Sequence, residues 1–419
     1  MSQNEPDDLF EQAPLAYQEL ATSRVAALKR LTQFQADAAH YYRAHRNEDL
    51  GPAQRRNVSL LSAAIRRRLV SEYEVLECAL ARHSPQASEK FIQEVFWRGY
   101  FKGWLQQRPQ VWYDYLADLS EILSSEAFVN GDLGKRYQQV IAGDSGIDCM
   151  DAWVQELPET GYLHNHARMW FASIWIFTLD LPWQLGAWFF YQHLLDGDPA
   201  SNTLSWRWVG GLHTVGKHYL AKPGNISRYT QGRFNPAHRL VTNAEPLPSD
   251  GKPDPLPLEV CQPAPPAPCL LVITEEDCSP EQWMLAAKPA YIVGINPIVP
   301  NQTQWRSKMV QAAAAAAISD AVRRCGEHFG VDAAPALCSF ADLPAIAQRV
   351  NVQHLLTAYA AIGPTLDALN EFERTLPATL ELHREQRAFD QFVWPYAKSG
   401  FFGLKKRIPR LLRELSLVG

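Results

Sequence analysis

Two polar stretches that border strongly apolar segments carry the residue types most suited to chemistry in this sequence. They are GYLHNHARM (161–169) and DGDPASNTLSWRW (196–208). In a helix, Asn165 and Arg168 would lie about one turn apart on one face, while Asp196 and Asp198 follow a second apolar segment. Buried charges need partners, so we predict that Arg168 pairs with one of these aspartates. Such a pair either ties two helices together or forms a polar wall around a ligand with both hydrogen-bond donors and acceptors.

The segments that must position these residues have helical periodicity. Apolar residues recur at a period near 3.6, and the expected helices cover residues 12–46, 90–107, 146–156, 164–177 and 183–195. No strand-like alternation occurs before residue 240. The fold class is therefore predicted to be mainly α, with an all-helical first domain over residues 1–240.

A proline-rich linker is predicted over residues 241–268. Its nine prolines disfavour a helix and favour an extended chain. After it, the apolar runs 269–274 and 291–295 are typical of buried parallel strands, and a helical stretch covers 304–328. Residues 269–419 are therefore predicted to form a smaller α/β domain.

Composition and charge exclude several classes of protein. The 419 residues carry a formal net charge of −5, so a nucleic-acid site would have to be a local patch. The seven cysteines form no CxxC pair, which signals neither a metal site nor a disulfide framework and fits a reducing cytosol. The first residues are acidic and polar, unlike a signal peptide, and the apolar stretch 170–190 is interrupted by Asp180 and Pro182. We therefore expect a cytoplasmic protein with no membrane partner and no metal.

Several motifs occur in order between residues 38 and 236. They are YRAHR (42–46), VSLLS (58–62), FIQEVFWR (91–98), GYLHNHARMWFAS (161–173), LPWQLGAWFFYQHLLDGDPASNTLSWRW (181–208) and GRFNP (232–236). Together they resemble the FAD-binding domain of the DNA photolyase/cryptochrome family. The resemblance implies a helical domain that binds one FAD noncovalently and drives electron transfer from it with light. It assigns no second, antenna chromophore.

The resemblance also implies a cofactor-binding role for individual residues. Those expected at the phosphates and ribitol are Tyr42, Ser59, Leu61 and Ser62; those expected around the ring and the adenine are Arg98, Asn165, Arg168, Asp196, Gly197, Asp198 and Asn202. Asn202 would face flavin N5. A phosphate turn at the start of a helix is physically sound, because helix N-termini favour anions. The turn departs from the family at Val58, where a threonine is usual.

Two tryptophans match the inner electron-relay pair of the family. Trp183 and Trp206 have the spacing that the resemblance implies, and together with Asn202 they are the residues expected to act in electron transfer. The outermost relay tryptophan is missing from the segment 123–130, where it would be expected. The candidates for its place are Trp104, Trp112 and Trp153. Core packing is the other interpretation of Trp183 and Trp206, and it is compatible with a relay role.

Five residues match the substrate cavity of the family members that repair cyclobutane pyrimidine dimers. They are Glu94, Trp97, Asn165, Met169 and Trp208. Trp97 and Trp208 would stack on a flipped-out dimer, and Glu94 would hydrogen-bond to it. Enzymes for the other photoproduct carry histidine where Asn165 and Met169 stand. Gly99 departs from the family, which has an acidic residue there.

The leading hypothesis is a deoxyribodipyrimidine photo-lyase, a light-dependent carbon–carbon lyase that acts on UV-damaged DNA, single strands more readily than duplexes. The alternative is a cryptochrome-like blue-light photoreceptor that signals to a protein partner through its C-terminal domain. A third reading is a flavin-binding relative without light function. The family places an α/β antenna domain before the FAD domain, whereas here the α/β segment follows it, which makes a rearranged, antenna-like domain one interpretation of residues 269–419.

Overall fold

The computed structural model of the protein describes residues 17–249, 251–259, 261, 266–297 and 302–418. The first sixteen residues, which include the start of the helix expected over 12–46, lie outside the described residues, as do Pro263 and Pro265 of the predicted linker. Across the ranges that are described, no helix is both long and apolar enough to cross a lipid bilayer.

Helices build the chain before residue 240, as the sequence predicts. They are α1 (Tyr17–Leu20), α2 (Arg24–Phe34), α3 (His40–His45), α4 (Ser62–Arg66), α5 (Glu72–Leu80), α6 (Glu89–Gln106), α7 (Gln110–Ser124), α8 (Glu126–Val129), α9 (Asp132–Ile141), α10 (Asp148–Thr160), α11 (Asn165–Ser173), α12 (Trp183–His193), α13 (Pro199–Val209) and α14 (Pro223–Tyr229). The single helix expected over 12–46 is wrong, since its described part is divided into α1, α2 and α3. The break between α1 and α2 has a cap as its reason: the Ser23 hydroxyl accepts a hydrogen bond from the backbone N–H of Ala26 and so begins α2.

A small parallel sheet follows. Its strands are β1 (Cys269–Ile273), β2 (Tyr291–Gly294), β3 (His354–Ala358) and β4 (Glu381–Glu385), and the helices around it are α15 (Lys308–Phe329), α16 (Leu343–Arg349), α17 (Pro364–Arg374), α18 (Ala388–Val393), α19 (Phe401–Lys405) and α20 (Ile408–Glu414). The strand order is β2-β1-β3-β4, with every pair parallel. The strands predicted over 269–274 and 291–295 are confirmed. Neither β3 nor β4 is predicted from the sequence; the residues of β4, ELHRE, are mostly charged and only partly buried, unlike those of a typical buried strand. The division into domains at 241–268 stays a prediction.

Two glycines on α6 make room for the C-terminal helices. A side chain at Gly99 would meet the Phe389 ring of α18 at 2.8 Å, and one at Gly103 would meet the backbone of Trp394 at 2.7 Å. The acidic residue that the family has at position 99 would therefore clash with Phe389. Helix α6 is consequently covered by the end of the chain, close to where it carries the predicted site residue Trp97.

Buried ion pairs join the end of α4 to the turn after β1. Nη2 of Arg66 lies 2.9 Å from Oε1 of Glu276, and Nε of Arg67 lies 3.4 Å from Oε2 of Glu275. All four side chains are less than a tenth exposed. Removing one partner of such a pair leaves an uncompensated buried charge, which is strongly destabilising. These contacts therefore fix the sheet against the helices before residue 240.

The same network continues to the C-terminal helices. Nη2 of Arg68 lies 2.6 Å from Oδ2 of Asp390 on α18, and Nε of Arg387 lies 2.7 Å from Oδ2 of Asp277 in the turn after β1. Arg387 directly precedes α18. The turn after β1 thus anchors both the arginines that follow α4 and the segment that leads to α18.

Replacing Glu275 with Gln should destabilise the protein. Nη1 of Arg306 lies 2.6 Å from Oε1 of Glu275; burial opposes ionisation of this carboxyl, but Arg306, Arg66 and Arg67 outweigh it and lower its pKa to about 2. We expect the free energy of unfolding at pH 7, measured by urea denaturation, to fall by about 3–5 kcal/mol. Folding lowers the pKa of Glu275 from its usual value of 4.5. The difference in unfolding free energy between the wild type and E275Q should therefore be complete above pH 4.5 and should shrink as the pH falls toward 2.

The matched control is Glu327→Gln, which breaks an exposed pair with Arg323 on α15. That change should cost less than about 1 kcal/mol. Similar stability for E275Q and E327Q at pH 7 would contradict the assigned role of the buried pairs.

Candidate cofactor and substrate site

A cavity of about 600 Å³ is lined by residues of α6, α11 and α13. Its volume falls within the range of about 300–1,000 Å³ that is usual for cofactor and small-molecule sites. The predicted site residues in its walls are Ser62, Glu94, Trp97, Arg98, Asn165, Arg168, Met169, Asp196, Gly197, Asp198, Asn202, Trp206 and Trp208. The residues expected for the cofactor and those expected for the substrate thus line one shared space.

Arg168 on α11 and Asp196 form the ion pair that the sequence predicts. Nη2 of Arg168 lies 3.0 Å from Oδ2 of Asp196, and its Nε donates to the backbone oxygen of Leu163. Burial opposes ionisation of Asp196, but Arg168 outweighs it and holds the pKa of this carboxyl below its usual value. The pair ties α11 to the turn before α13 and also lines the cavity.

Asp198 begins α13 and anchors it to buried cations. Its carboxylate accepts a hydrogen bond of 2.7 Å from the backbone N–H of Ser201, which caps the helix. Its Oδ2 also lies 3.7 Å from Nε of Arg66 and 3.8 Å from Nζ of Lys102. Burial opposes ionisation of Asp198, but Lys102 and Arg66 outweigh it and lower its pKa. The start of α13 is therefore fixed one turn before Asn202.

Asn202 is oriented by one hydrogen bond to α12. Its Nδ2 donates to the backbone oxygen of Ala187 at 2.8 Å, and its side chain is almost fully buried at the cavity wall. This hydrogen bond uses the amide nitrogen of Asn202 and leaves its amide oxygen unused. The predicted contact with flavin N5 is untested by this geometry and stays a prediction.

Two cavity-lining donors have no hydrogen-bond partner within the described part of the chain. They are Nη1 of Arg98 and Nε1 of Trp206. An unsatisfied buried polar atom costs about 1–3 kcal/mol, so both atoms favour a ligand that brings acceptors. The carbonyl oxygens, ring nitrogens and phosphates of FAD are such acceptors. The residues present therefore fit the cofactor that the resemblance implies.

The turn expected to hold the cofactor phosphates is supported from outside by Arg30, which donates to two of its backbone oxygens at 2.8 and 2.7 Å. Within the turn, the backbone N–H of Leu61 is directed to the Ser59 hydroxyl at 3.4 Å. Ser62 does reach the cavity, and its hydroxyl lies 2.9 Å from that of Tyr17. The cavity lining does not include Tyr42, Ser59 or Leu61, whose phosphate-binding roles stay predictions.

Trp206 lies at the cavity wall in a cluster of aromatic rings. Its ring centroid is 5.1 Å from that of Phe190 and 6.2 Å from that of Trp175. Gly186 on α12 allows this packing, because a side chain there would clash with the Trp206 ring. Sequence reasoning does not single out Trp175, since nothing in its spacing distinguishes it from a core residue. Only the folded chain brings it to Trp206.

Trp183 lies outside the cavity lining and packs against α7 instead. Its ring stacks on Tyr115, with centroids 5.3 Å apart, and Tyr115 is 5.4 Å from Trp112. Of the three candidates for the outer relay position, Trp112 is thus linked to Trp183 through one intervening ring. Trp104 packs against His213, and Trp153 packs against Trp170. All of these relay roles stay predictions.

Each of the two expected stacking tryptophans is backed by another aromatic ring. Trp97 stacks on Phe401 of α19, with centroids 3.7 Å apart and planes inclined by 12°. Trp208 stacks on Tyr219, with centroids 5.7 Å apart and planes inclined by 22°. Both indoles also line the cavity. Trp97 and Phe401 are 304 residues apart in the sequence, so no local sequence pattern could have predicted their contact.

Glu94 forms an ion pair with Arg46, a cavity residue that sequence reasoning did not assign to the site. The only sequence feature that could have indicated Arg46 as a site residue is its place at the end of the YRAHR motif. Burial raises the pKa of Glu94, while Arg46 acts in the opposite direction. On α11, Nδ2 of Asn165 lies 4.0 Å from Sδ of Met169, so these two side chains are neighbours on one face of the helix.

Two histidines, His164 and His166, lie at the start of α11. Nδ1 of His164 accepts the backbone N–H of His166 at 3.2 Å, and its Nε2 donates to the backbone oxygen of Arg46 at 3.0 Å. Burial lowers the pKa of each histidine to about 4. Both rings are therefore neutral at pH 7.

Comparison with known proteins identifies relatives of part of the chain. Residues 91–239 match the family described as the FAD binding domain of DNA photolyase. A deoxyribodipyrimidine photo-lyase of Salmonella typhimurium is 28% identical over 226 residues, which cover 52% of this chain and 45% of that protein. One of Agrobacterium fabrum is 31% identical over 192 residues, covering 44% of this chain and 37% of that protein.

A cryptochrome DASH of Idiomarina loihiensis is 24% identical over 220 residues, which cover 52% of this chain and 47% of that protein. The chain thus spans less than half the length of these relatives. Among solved structures, a class III photolyase of Agrobacterium tumefaciens is 25% identical with a TM-score of 0.37, covering 50% of this chain and 43% of that one. A Synechocystis cryptochrome is 21% identical with a TM-score of 0.42, covering 54% and 48%.

Replacing Arg98 with Met should weaken FAD binding. Nη2 of Arg98 donates to the backbone oxygen of Ser62 at 3.3 Å, whereas Nη1 has no partner among the described residues. A hydrogen bond from a charged group contributes about 1.5–3 kcal/mol, so the Kd for FAD should rise about 10- to 150-fold. The measurement is titration of apoprotein with FAD, followed by flavin fluorescence.

The control is Arg323→Met at an exposed position of α15, which should bind FAD as the wild type does. Circular dichroism of R98M checks that its fold is intact. Unchanged affinity in folded R98M would refute the assignment of Arg98 to the cofactor.

Proposed function

We propose that this chain, whose residues 91–239 match the FAD binding domain of DNA photolyase, is a light-dependent lyase that splits cyclobutane pyrimidine dimers in DNA. The observation that carries the proposal is the shared cavity. Arg98 and Asn202, expected at the flavin, line it together with the residues expected at the dimer, Glu94, Trp97 and Trp208. A cofactor and a lesion held in one cavity of about 600 Å³ would be close enough for direct electron transfer.

FAD, when bound, supplies light-driven transfer of one electron. Opening of a cyclobutane ring by one electron leaves no net oxidation or reduction once that electron has returned, so the site needs no acid–base pair. The chain's own contribution is then to hold both partners, to orient them and to set the electrostatic environment. The Arg168–Asp196 pair and the cap at Asp198 fix the two helices that border the cofactor side.

The stacking arrangement supports the substrate half of the proposal. Phe401 and Tyr219 each cover one side of an indole that also lines the cavity. Rings held in this way lose little conformational freedom when a flat base stacks on them, which favours binding. A base stacked on an aromatic side chain contributes about 1–3 kcal/mol. Trp97 and Trp208 are therefore suited to hold an extruded dimer.

Charge favours single strands over duplexes. The net charge of −5 gives little general attraction to phosphates, and extruding a base from a duplex costs a few kcal/mol. A single-stranded dimer avoids that cost. We therefore assign UV-damaged single-stranded DNA as the preferred partner.

A cryptochrome-like photoreceptor is the second candidate, and one contact favours it. Phe401 of α19 stacks directly on Trp97 at the cavity wall, so a change at the cavity would reach the C-terminal helices through a single ring. A protein partner that recognises these helices would then sense the state of the flavin.

Replacing Trp206 with Phe should slow the photoreduction of oxidised FAD under blue light while FAD stays bound. Phenylalanine keeps the packing against Phe190 but is much harder to oxidise than an indole. The measurement is the rate of bleaching of the flavin absorption band with an added reductant. Trp394→Phe, a buried tryptophan outside the cavity lining, is the control. Equal rates for W206F and the wild type would show that Trp206 does not relay electrons.

Replacing Trp97 with Ala should weaken binding of a single strand that contains one cyclobutane dimer. The expected loss is about 1–3 kcal/mol if stacking is the main contact, measured by fluorescence anisotropy on the FAD-loaded protein in the dark. Trp305→Ala, which removes a half-exposed tryptophan elsewhere, should leave the affinity unchanged. Binding that does not distinguish damaged from undamaged strands would instead favour the photoreceptor.

A further inference from the structure

Three potential metal ligands meet on the edge of the sheet, far along the chain from the motifs of the cavity. In the parallel register of β3 and β4, His354 lies opposite Glu381, and Leu356 lies opposite His383. Side chains two residues apart on a strand point to the same face. His354, Glu381 and His383 therefore share one face of two neighbouring strands.

The donor atoms form a compact triangle. Nδ1 of His354 is 3.1 Å from Nε2 of His383, and each of these nitrogens is 3.4 Å from Oε2 of Glu381. A tetrahedral zinc ion with bonds of about 2.0–2.2 Å separates its ligand atoms by about 3.3–3.6 Å. The point equidistant from the three atoms is about 1.9 Å from each, so an ion at zinc bond lengths would sit less than about 1 Å out of their plane.

The chemistry of the donors selects the class of metal. Two imidazole nitrogens suit zinc, copper and nickel, whereas calcium and magnesium require mainly oxygen ligands. Three protein ligands leave a fourth position open for water. The side chains are 21%, 66% and 18% exposed for His354, Glu381 and His383, so an ion can reach them from solvent.

We propose that His354, Glu381 and His383 form a binding site for a zinc-class divalent metal ion, which clips the edge strand β4 to β3. Strand β4 leads through Arg387 into α18, and Arg387 is itself paired with Asp277. A bound ion would therefore stabilise the strand from which the C-terminal helices depart. Ligands that bind only the folded state raise its stability, so zinc should raise the melting temperature.

The test is titration of the chelator-stripped full chain with zinc chloride in an isothermal calorimeter. One ion should bind per chain, and the affinity should fall at least tenfold in His354→Ala and in His383→Ala, and to a smaller extent in Glu381→Gln. The rise in melting temperature with zinc should disappear in the same variants. His328→Ala, which removes an exposed histidine of α15, should behave as the wild type does.

Cobalt substitution tests whether the ion binds at these three residues or at cysteines elsewhere in the chain. A site without cysteine gives no thiolate charge-transfer absorption. The absence of zinc binding to the wild type would overturn the proposal. So would binding that persists unchanged in the two histidine variants, or a cobalt spectrum with thiolate bands. If a variant fails to fold, the wild-type stoichiometry and the cobalt spectrum still decide the question.

Discussion

The buried ion pairs around Arg66 are the interaction on which the rest of the structure depends. This one guanidinium lies 2.9 Å from Glu276 in the turn after β1 and 3.7 Å from Asp198 at the start of α13. It therefore connects the wall of the cavity directly to the sheet. Because all three side chains are almost fully buried, no partner can be removed without leaving a charge in a medium of low dielectric. The position of α13, and with it Asn202 and Trp206, is set by that constraint.

Helix α6 relates the cavity to the end of the chain. One part of it lines the cavity with Trp97 and Arg98, and the adjacent glycines, Gly99 and Gly103, receive α18 and Trp394. Phe401 then closes the arrangement by stacking on Trp97. This architecture is compatible with repair, since the indole is held rigidly, and with signalling, since the C-terminal helices touch the cavity wall. The two functions differ in whether a lesion or a partner protein makes use of the same contact.

Local sequence patterns predicted the parts of the molecule whose signals are local. Helical periodicity located the helices around the cavity, and the need of a buried charge for a partner correctly predicted that Arg168 pairs with one of the two aspartates, which is Asp196. The prediction of one helix over 12–46 was wrong in part because the Ser23 hydroxyl accepts a hydrogen bond from the backbone N–H of Ala26. This bond begins α2 as a new helix after α1. The edge strand β4 was not predicted because its residues are mostly charged and lack the apolar pattern of a buried strand.

Contacts between distant segments were beyond prediction for a physical reason: they depend on the packing of elements rather than on propensity within one of them. Arg66 with Glu276, and Phe401 with Trp97, are such contacts. Gly99 illustrates the point, since in the sequence it is only the loss of an acidic group. In the structure it is the space that Phe389 fills. Likewise, His354 joins His383 only through the register of two parallel strands.

The most direct test of the account is illumination of the fully reduced, FAD-loaded protein with a single-stranded oligonucleotide that carries one cyclobutane dimer. The central claim is that one cavity holds both flavin and lesion. It predicts that near-UV light restores the intact pyrimidines, with no change in a dark control or in protein stripped of FAD. If dimers persist after illumination on both single strands and duplexes, although FAD is bound and reduced, the cavity does not perform repair and the claim is contradicted.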